Sequence, residues 1–163
     1  MNNPLILTLK MDEKSQSFFN SKRKVHFPPE RNFLEAHLMV FHHLPFNEET
    51  ISFLKAFRFP GFVAEVTRLM KLGHGVAYRV ECTEMVQLHQ LLFKHFFPVL
   101  QAQDRQGYRP HVTIQNKVRP ETASQLYSEL NSNFVTFNVG ISAIQVFSYL
   151  GGPWRHEFDV DLI

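Results

Sequence analysis

His111 and Thr113 stand two positions apart in the run Gly107-Tyr108-Arg109-Pro110-His111-Val112-Thr113-Ile114-Gln115, where a proline turn leads into a strand-like segment. Alternate side chains of a strand share a face. The imidazole and the hydroxyl therefore point the same way, while Val112 and Ile114 can anchor the opposite face on a core. An imidazole holds or releases a proton near neutral pH, and a hydroxyl donates a hydrogen bond to a phosphoryl oxygen, so the pairing suits phosphate chemistry. A second apolar run, Ala36-His37-Leu38-Met39-Val40-Phe41, places a histidine in the same position relative to its hydrophobic neighbours. Two such strands predict two facing half-sites. One neutral imidazole can take a proton from an attacking water or hydroxyl while the other gives one to the leaving oxygen, each transfer typically worth about 10²–10⁴-fold, and no metal is then required.

The paired histidine strands, the Tyr108-Arg109-Pro110 ahead of the second one and the closing Tyr149-Leu150-Gly151-Gly152-Pro153-Trp154 together resemble the two-histidine phosphoesterase superfamily, in its bacterial 2′-5′ RNA ligase-like branch. The resemblance spans nearly the whole chain. It implies one two-lobed α+β domain over residues 1–163, with pseudo-symmetric lobes of antiparallel sheet, helices packed outside and a central groove. It also implies an enzyme that opens 2′,3′-cyclic phosphates or makes and breaks 2′-5′ phosphodiester links in RNA without cofactor or metal.

Carried over by position, the first motif lands on His37 with Met39 where the family has Thr or Ser, and the second on His111 and Thr113. Many relatives place an arginine just after the second motif; this chain has Gln115, Asn116 and then Lys117. A thioether cannot donate a hydrogen bond to a phosphoryl oxygen, so the first half-site keeps its proton carrier and loses its anion clamp. That departure predicts weakened turnover or a shifted substrate. The alternative is a non-catalytic RNA- or nucleotide-binding protein on the same fold. Tyr108, Arg109, Lys117, Tyr149 and Arg155 are candidates for substrate contact, because aromatic faces stack on bases and cations pair with phosphates. For Trp154 the expectation is core packing.

A chain of 163 residues suits one domain, or two small lobes sharing one core. The net charge is only +2, so any nucleic-acid site must be local rather than a general polycation. A single cysteine, Cys82, leaves no internal disulfide, in keeping with a reducing compartment. The first apolar run, Pro4 to Leu9, is too short for a secretory signal and no stretch approaches membrane-spanning length, which predicts a cytoplasmic protein with no membrane partner. His37, His42 and His43 invite a metal reading, yet no cysteine accompanies them, no helical His spacing appears, and adjacent residues of a regular strand face opposite ways, so no metal site is expected.

The elements that must position these groups are legible in the pattern. Pro4 to Met11 reads as a strand, and Asp12 as the cap of a helix whose end carries Lys22-Arg23-Lys24, a solvated cluster that complements the helix dipole. The first histidine strand follows, with His37, Met39, Phe41 and His43 on one face and His42 on the other. Residues 47–57 read as a short amphipathic helix, and 62–72 with 76–80 as a hairpin joined by Gly73-His74-Gly75, whose His74 faces solvent. Residues 84–97 form a helix stopped by Pro98, with His89 and His95 as ordinary helix histidines. A polar loop, 101–107, leads to the second histidine strand. A helix opening at Pro120 follows, then strand over 134–137 and 141–149, and a last strand over 154–162 with one wet face. Strand, helix and strand recur at both ends, which predicts the same pseudo-symmetric two-lobed architecture.

Overall fold

The computed structural model describes residues 3–163. Seven strands form one antiparallel sheet: β1 (Leu5–Met11), β2 (Leu38–Leu44), β3 (Phe62–Lys71), β4 (Val76–Glu81), β5 (His111–Gln115), β6 (Phe137–Tyr149) and β7 (Trp154–Asp161). The helices are α1 (Glu13–His26), α2 (Glu48–Ala56), α3 (Thr83–Phe96) and α4 (Pro120–Ser132). Asp12 caps α1 by accepting from the Ser15 backbone N–H, and Asn47 caps α2 by accepting from that of Thr50. Among the described residues no helix is long and apolar enough to cross a membrane.

The strand order β2-β1-β6-β3-β4-β5 reads the same when β1, β2 and β3 are exchanged for β4, β5 and β6. The helices follow the same exchange, since α1 and α2 come after β1 and β2 as α3 and α4 come after β4 and β5. This is the pseudo-twofold relation between the lobes. Its consequence for the site is direct: the two histidine strands, β2 and β5, occupy equivalent places at the two ends of that order.

One helix from each half of the chain covers the apolar face of the other lobe's histidine strand. From α3, His89 and Phe96 pack on Phe41 of β2. From α1, Phe18 and Phe19 pack edge-on against Tyr78 of β4, and Arg23 reaches β5. Leu5, Leu7, Leu9, Phe19, Phe41, Leu88 and Ile114 are almost fully removed from water, so the sheet's helix-covered side is the core.

Residues 134–149 differ from the expectation of two strand pieces. β6 is one strand of 13 residues starting at Phe137, and it runs through Asn138 and Gly140, residues that weaken the local β signal. Pairing supplies what propensity lacks. β3 takes 137–141 and β7 takes 143–149, while β1 holds 141–148 from the other edge. Asp12 fixes the crossing, its carboxylate accepting from the Gly140 N–H at 2.7 Å. At the β3–β4 hairpin, a Cβ on Gly75 would lie 1.8 Å from the Gln115 carbonyl oxygen, so only glycine lets the turn close on the end of β5. His74 is exposed, but its ring also bonds the Val118 carbonyl at 3.1 Å.

β2 departs from a regular strand. In its pairing with β1, one extra residue enters between Met39 and Phe41 and another before Leu44. Each bulge shifts the alternation by one. Phe41 therefore turns into the core, away from the face of Met39, and His42 is delivered to the open side.

Candidate active site

His37 immediately precedes β2 and His111 opens β5. The two rings are held alike: Nδ1 of His37 lies 2.9 Å from the Glu35 carbonyl oxygen, and Nδ1 of His111 lies 2.7 Å from that of Arg109, two residues back in each case. A carbonyl can only accept, so each Nδ1 carries the proton. The bond that fixes each ring thereby leaves Nε2 as the ring nitrogen that can exchange a proton with another group.

Both histidines line one cleft of about 590 Å³, together with Met39, His42, Thr113, Tyr108, Arg109 and the side of His89. Thr113 is half-buried on the same face as His111, as the alternation requires. Met39 occupies the corresponding place beside His37. Lys117, Tyr149 and Arg155 do not line this cleft. Lys117 sits in a turn after β5 with φ 64°, Tyr149 ends β6, and Arg155 on β7 pairs with Glu157 at 3.0 Å.

Two ties across the groove set the spacing of the half-sites. The Tyr108 hydroxyl, on the segment leading to β5, donates to the Met39 carbonyl of β2 at 2.9 Å. Its ring stacks on His89 of α3 at 3.9 Å, and burial raises the phenol's pKa. Arg23 of α1 donates from Nη1 to the Thr113 carbonyl at 3.0 Å and from Nε to Asn32 at 3.1 Å, with Phe27 beneath its guanidinium. Arg23 is only 4% exposed, which corrects the expectation of a solvated cluster: it alone of Lys22-Arg23-Lys24 turns inward, because α1 lies on β5 and presents that face to it.

His37 has its pKa pulled down to about 4, first by burial, then by the positive charges of Arg23, His42 and His111, against an opposing hydrogen bond to Glu35. It is a neutral imidazole throughout the physiological range. His89, buried among Phe41, Phe93 and Tyr108, is also pulled down to about 4 by burial and stays neutral as a wall of the cleft.

Besides His89, three groups that the sequence reading placed elsewhere or left unassigned belong here. Trp154 is half-exposed rather than core: its ring lies 4.7 Å from that of His37, in a second hollow of about 710 Å³ lined by Thr8, Lys10, Phe33, Gln145, Phe147 and His156. His42 faces the cleft because of the β2 bulges. Asp104, in a short 3-10 turn (Ala102–Arg105) of the polar loop, is buried, and its carboxylate accepts from the backbone N–H groups of His42 and His43 and from the His42 ring, all at 2.9 Å. Burial opposes ionisation of Asp104, but these hydrogen bonds outweigh it and hold its pKa below the usual carboxylate value. Only the polar character of loop 101–107 hinted at Asp104. Among the described residues, no group of three or more His, Cys, Asp or Glu side chains is arranged to hold a metal ion.

A sequence profile of the 2′-5′ RNA ligase superfamily matches residues 11–153. The chain belongs to that superfamily. Its membership supports a function of the two-histidine phosphoesterase type. Solved structures share the fold at low sequence identity. Escherichia coli LigT complexed with 3′-AMP superposes with a TM-score of 0.65 at 15% identity, covering 99% of both chains. A protein described as a phosphoesterase gives 0.64 at 15% identity, again covering 99% of both. The Thermus thermophilus protein TT0787 gives 0.63 at 11% identity, covering 98% of this chain and 97% of that one. No curated protein matches by sequence.

Proposed function

We propose that this superfamily member is a phosphodiesterase that opens 2′,3′-cyclic phosphates or cuts 2′-5′ phosphodiester links at RNA ends, by acid and base catalysis from His37 and His111 without a metal. The observation that carries the reading is the matched pair of imidazoles, each with Nδ1 pinned to a carbonyl and Nε2 left for the same cleft. His37, neutral because its charged form is disfavoured, takes the proton of an attacking water at Nε2 as the new P–O bond forms. His111 gives the proton on its Nε2 to the 2′ or 3′ oxygen as that P–O bond breaks. Solvent exchange then returns each ring to its starting state.

Thr113 donates to a non-bridging oxygen as charge builds there, and Met39 leaves the other side without such a donor. Trp154, beside His37, offers a face for stacking one base, and Arg109 a cation at the cleft rim. Lys117, Tyr149 and Arg155 would meet only substrate that extends beyond the cleft. Nucleotide occupancy is in keeping with the fold, since E. coli LigT was crystallised with 3′-AMP, ATP and NADP+.

Incubation of cyclic-phosphate and 2′-5′ linked substrates in excess chelator tests this reading. Product is expected with the wild-type chain and none with His37→Ala or His111→Ala; turnover retained in both variants would overturn it. Met39 favours a second reading, a nucleotide-binding protein of negligible turnover, which predicts binding of the same compounds with no product at high enzyme concentration.

A further inference from the structure

Beyond the two proton carriers, the cleft holds a third imidazole with an orienting partner. His42 is delivered to the open side by the bulges of β2, and its ring is the most exposed part of an otherwise buried assembly: 43% of the side chain is exposed, against 2% for the Asp104 carboxylate that holds it. Nδ1 faces that carboxylate at 2.9 Å, and the same carboxylate grips the backbone N–H groups of His42 and His43. Ring and backbone are thus set by one buried anion, and Nε2 is turned away from it, toward the cleft that His42 shares with His37 and His111.

Position along the strand says what such a ring can reach. His42 lies five residues beyond His37, a separation of roughly 16 Å between Cα atoms in extended chain at about 3.3 Å per residue, less what the bulges take up. His42 therefore enters the cleft from farther along β2 than His37, on the wall that Asp104 holds, where it can meet an anionic group next to the scissile phosphate. Lys71 and Arg109 add positive charge to the same walls.

We propose that His42, positioned by Asp104, binds a second phosphate of the substrate, so that the cleft selects nucleotides bearing a phosphate beyond the scissile one over simple mononucleotides. With the Asp104 carboxylate on one ring nitrogen, the other ring nitrogen is left to hydrogen-bond a phosphate oxygen. The inference rests on the phosphodiesterase reading for the identity of the first phosphate. It does not depend on turnover, because a binding protein using the same cleft would show the same preference.

The test compares two pairs of compounds. Turnover is measured on adenosine 2′,3′-cyclic phosphate with and without a 5′-phosphate, and binding on 3′-AMP and adenosine 3′,5′-bisphosphate by calorimetry. The wild-type chain is expected to prefer the compound with the second phosphate by about tenfold or more, the usual worth of a charge-assisted hydrogen bond. In His42→Gln the ratio falls toward one, and in His42→Lys, which restores a positive charge, the preference returns. A wild-type ratio near one, or a ratio that His42→Gln leaves unchanged, overturns the inference. Absence of product with every compound, alongside a bisphosphate preference that His42→Gln abolishes, would refute the phosphodiesterase reading and leave this one standing.

Discussion

Replacing Met39 by threonine should increase phosphodiesterase activity, and the size of the gain follows from the site. Met39 lines the cleft beside His37 and is half-buried, its carbonyl held by the Tyr108 hydroxyl whatever side chain it carries. A hydroxyl there would donate to the phosphoryl oxygen that Thr113 does not serve. A hydrogen bond to a charged group contributes about 1.5–3 kcal/mol. At about 1.4 kcal/mol per tenfold, kcat/KM should rise about 10- to 150-fold if the bond forms in the transition state. The cost is the loss of partly buried apolar surface, about 1 kcal/mol of stability, partly offset because threonine suits a strand better than methionine does. The assay is steady-state hydrolysis of a nucleoside 2′,3′-cyclic phosphate in chelator, with a thermal melt to show that the variant is folded. Met39→Val is the control, since valine has threonine's shape and no hydroxyl. Equal kcat/KM for the threonine and valine variants, or no gain over the wild-type chain, would refute the idea that a missing donor limits the first half-site.

Other consequences of the same geometry can be measured. Because His37 must be neutral to act as base and its pKa is about 4, kcat/KM should rise with pH through about 4 rather than 6.5; an acidic limb centred at 6.5 would assign the base elsewhere. His89 is also at about 4 when folded against 6.5 in its unperturbed state, so the unfolded chain takes its proton first as pH falls. Its contribution is intact above pH 6.5 and is lost between 6.5 and 4, amounting to about 3 kcal/mol at about 1.36 kcal/mol per unit. Urea titrations at about pH 7 and about pH 4.5 should show His89→Phe losing less stability on acidification than the wild-type chain, and equal losses would contradict the assignment. Arg23→Met should cost about 1–3 kcal/mol by leaving the Thr113 carbonyl without its donor, and should lower kcat/KM as β5 loosens. An unchanged melting temperature would show that the tie carries no weight.

The local chemistry of the sequence was a reliable guide wherever the structure is set by neighbours in the chain. Asp12 and Asn47 cap the helices they precede, Pro98 lies just beyond the end of α3, and the alternation at His111-Val112-Thr113 holds in β5. It failed where a partner far along the chain decides. Nothing near Arg23 says that its helix will lie on β5, and nothing in the polar loop says that Asp104 will be buried under the backbone of His42. The bulges in β2 arise from its pairing with β1, so the alternation that correctly placed Met39 wrongly placed Phe41 and concealed His42. Gly140 broke the apparent pattern of β6, yet β3 carries the ladder through it, Val63 pairing with Gly140, and Asp12 holds its other edge. Trp154 looked like core because a large aromatic side chain is usually well buried; the hollow beside His37 exists only once β7 has paired with β6.

The central claim is that His37 and His111 present their Nε2 atoms to the same phosphate. Imidazole nitrogen NMR of the ¹⁵N-histidine-labelled chain, titrated with 3′-AMP or inorganic phosphate, measures that most directly. The Nε2 resonances of both rings are expected to move together with one dissociation constant, while both Nδ1 resonances keep the signature of a nitrogen that donates to a carbonyl. Movement of one ring alone, or of neither while ligand binds elsewhere, would contradict it.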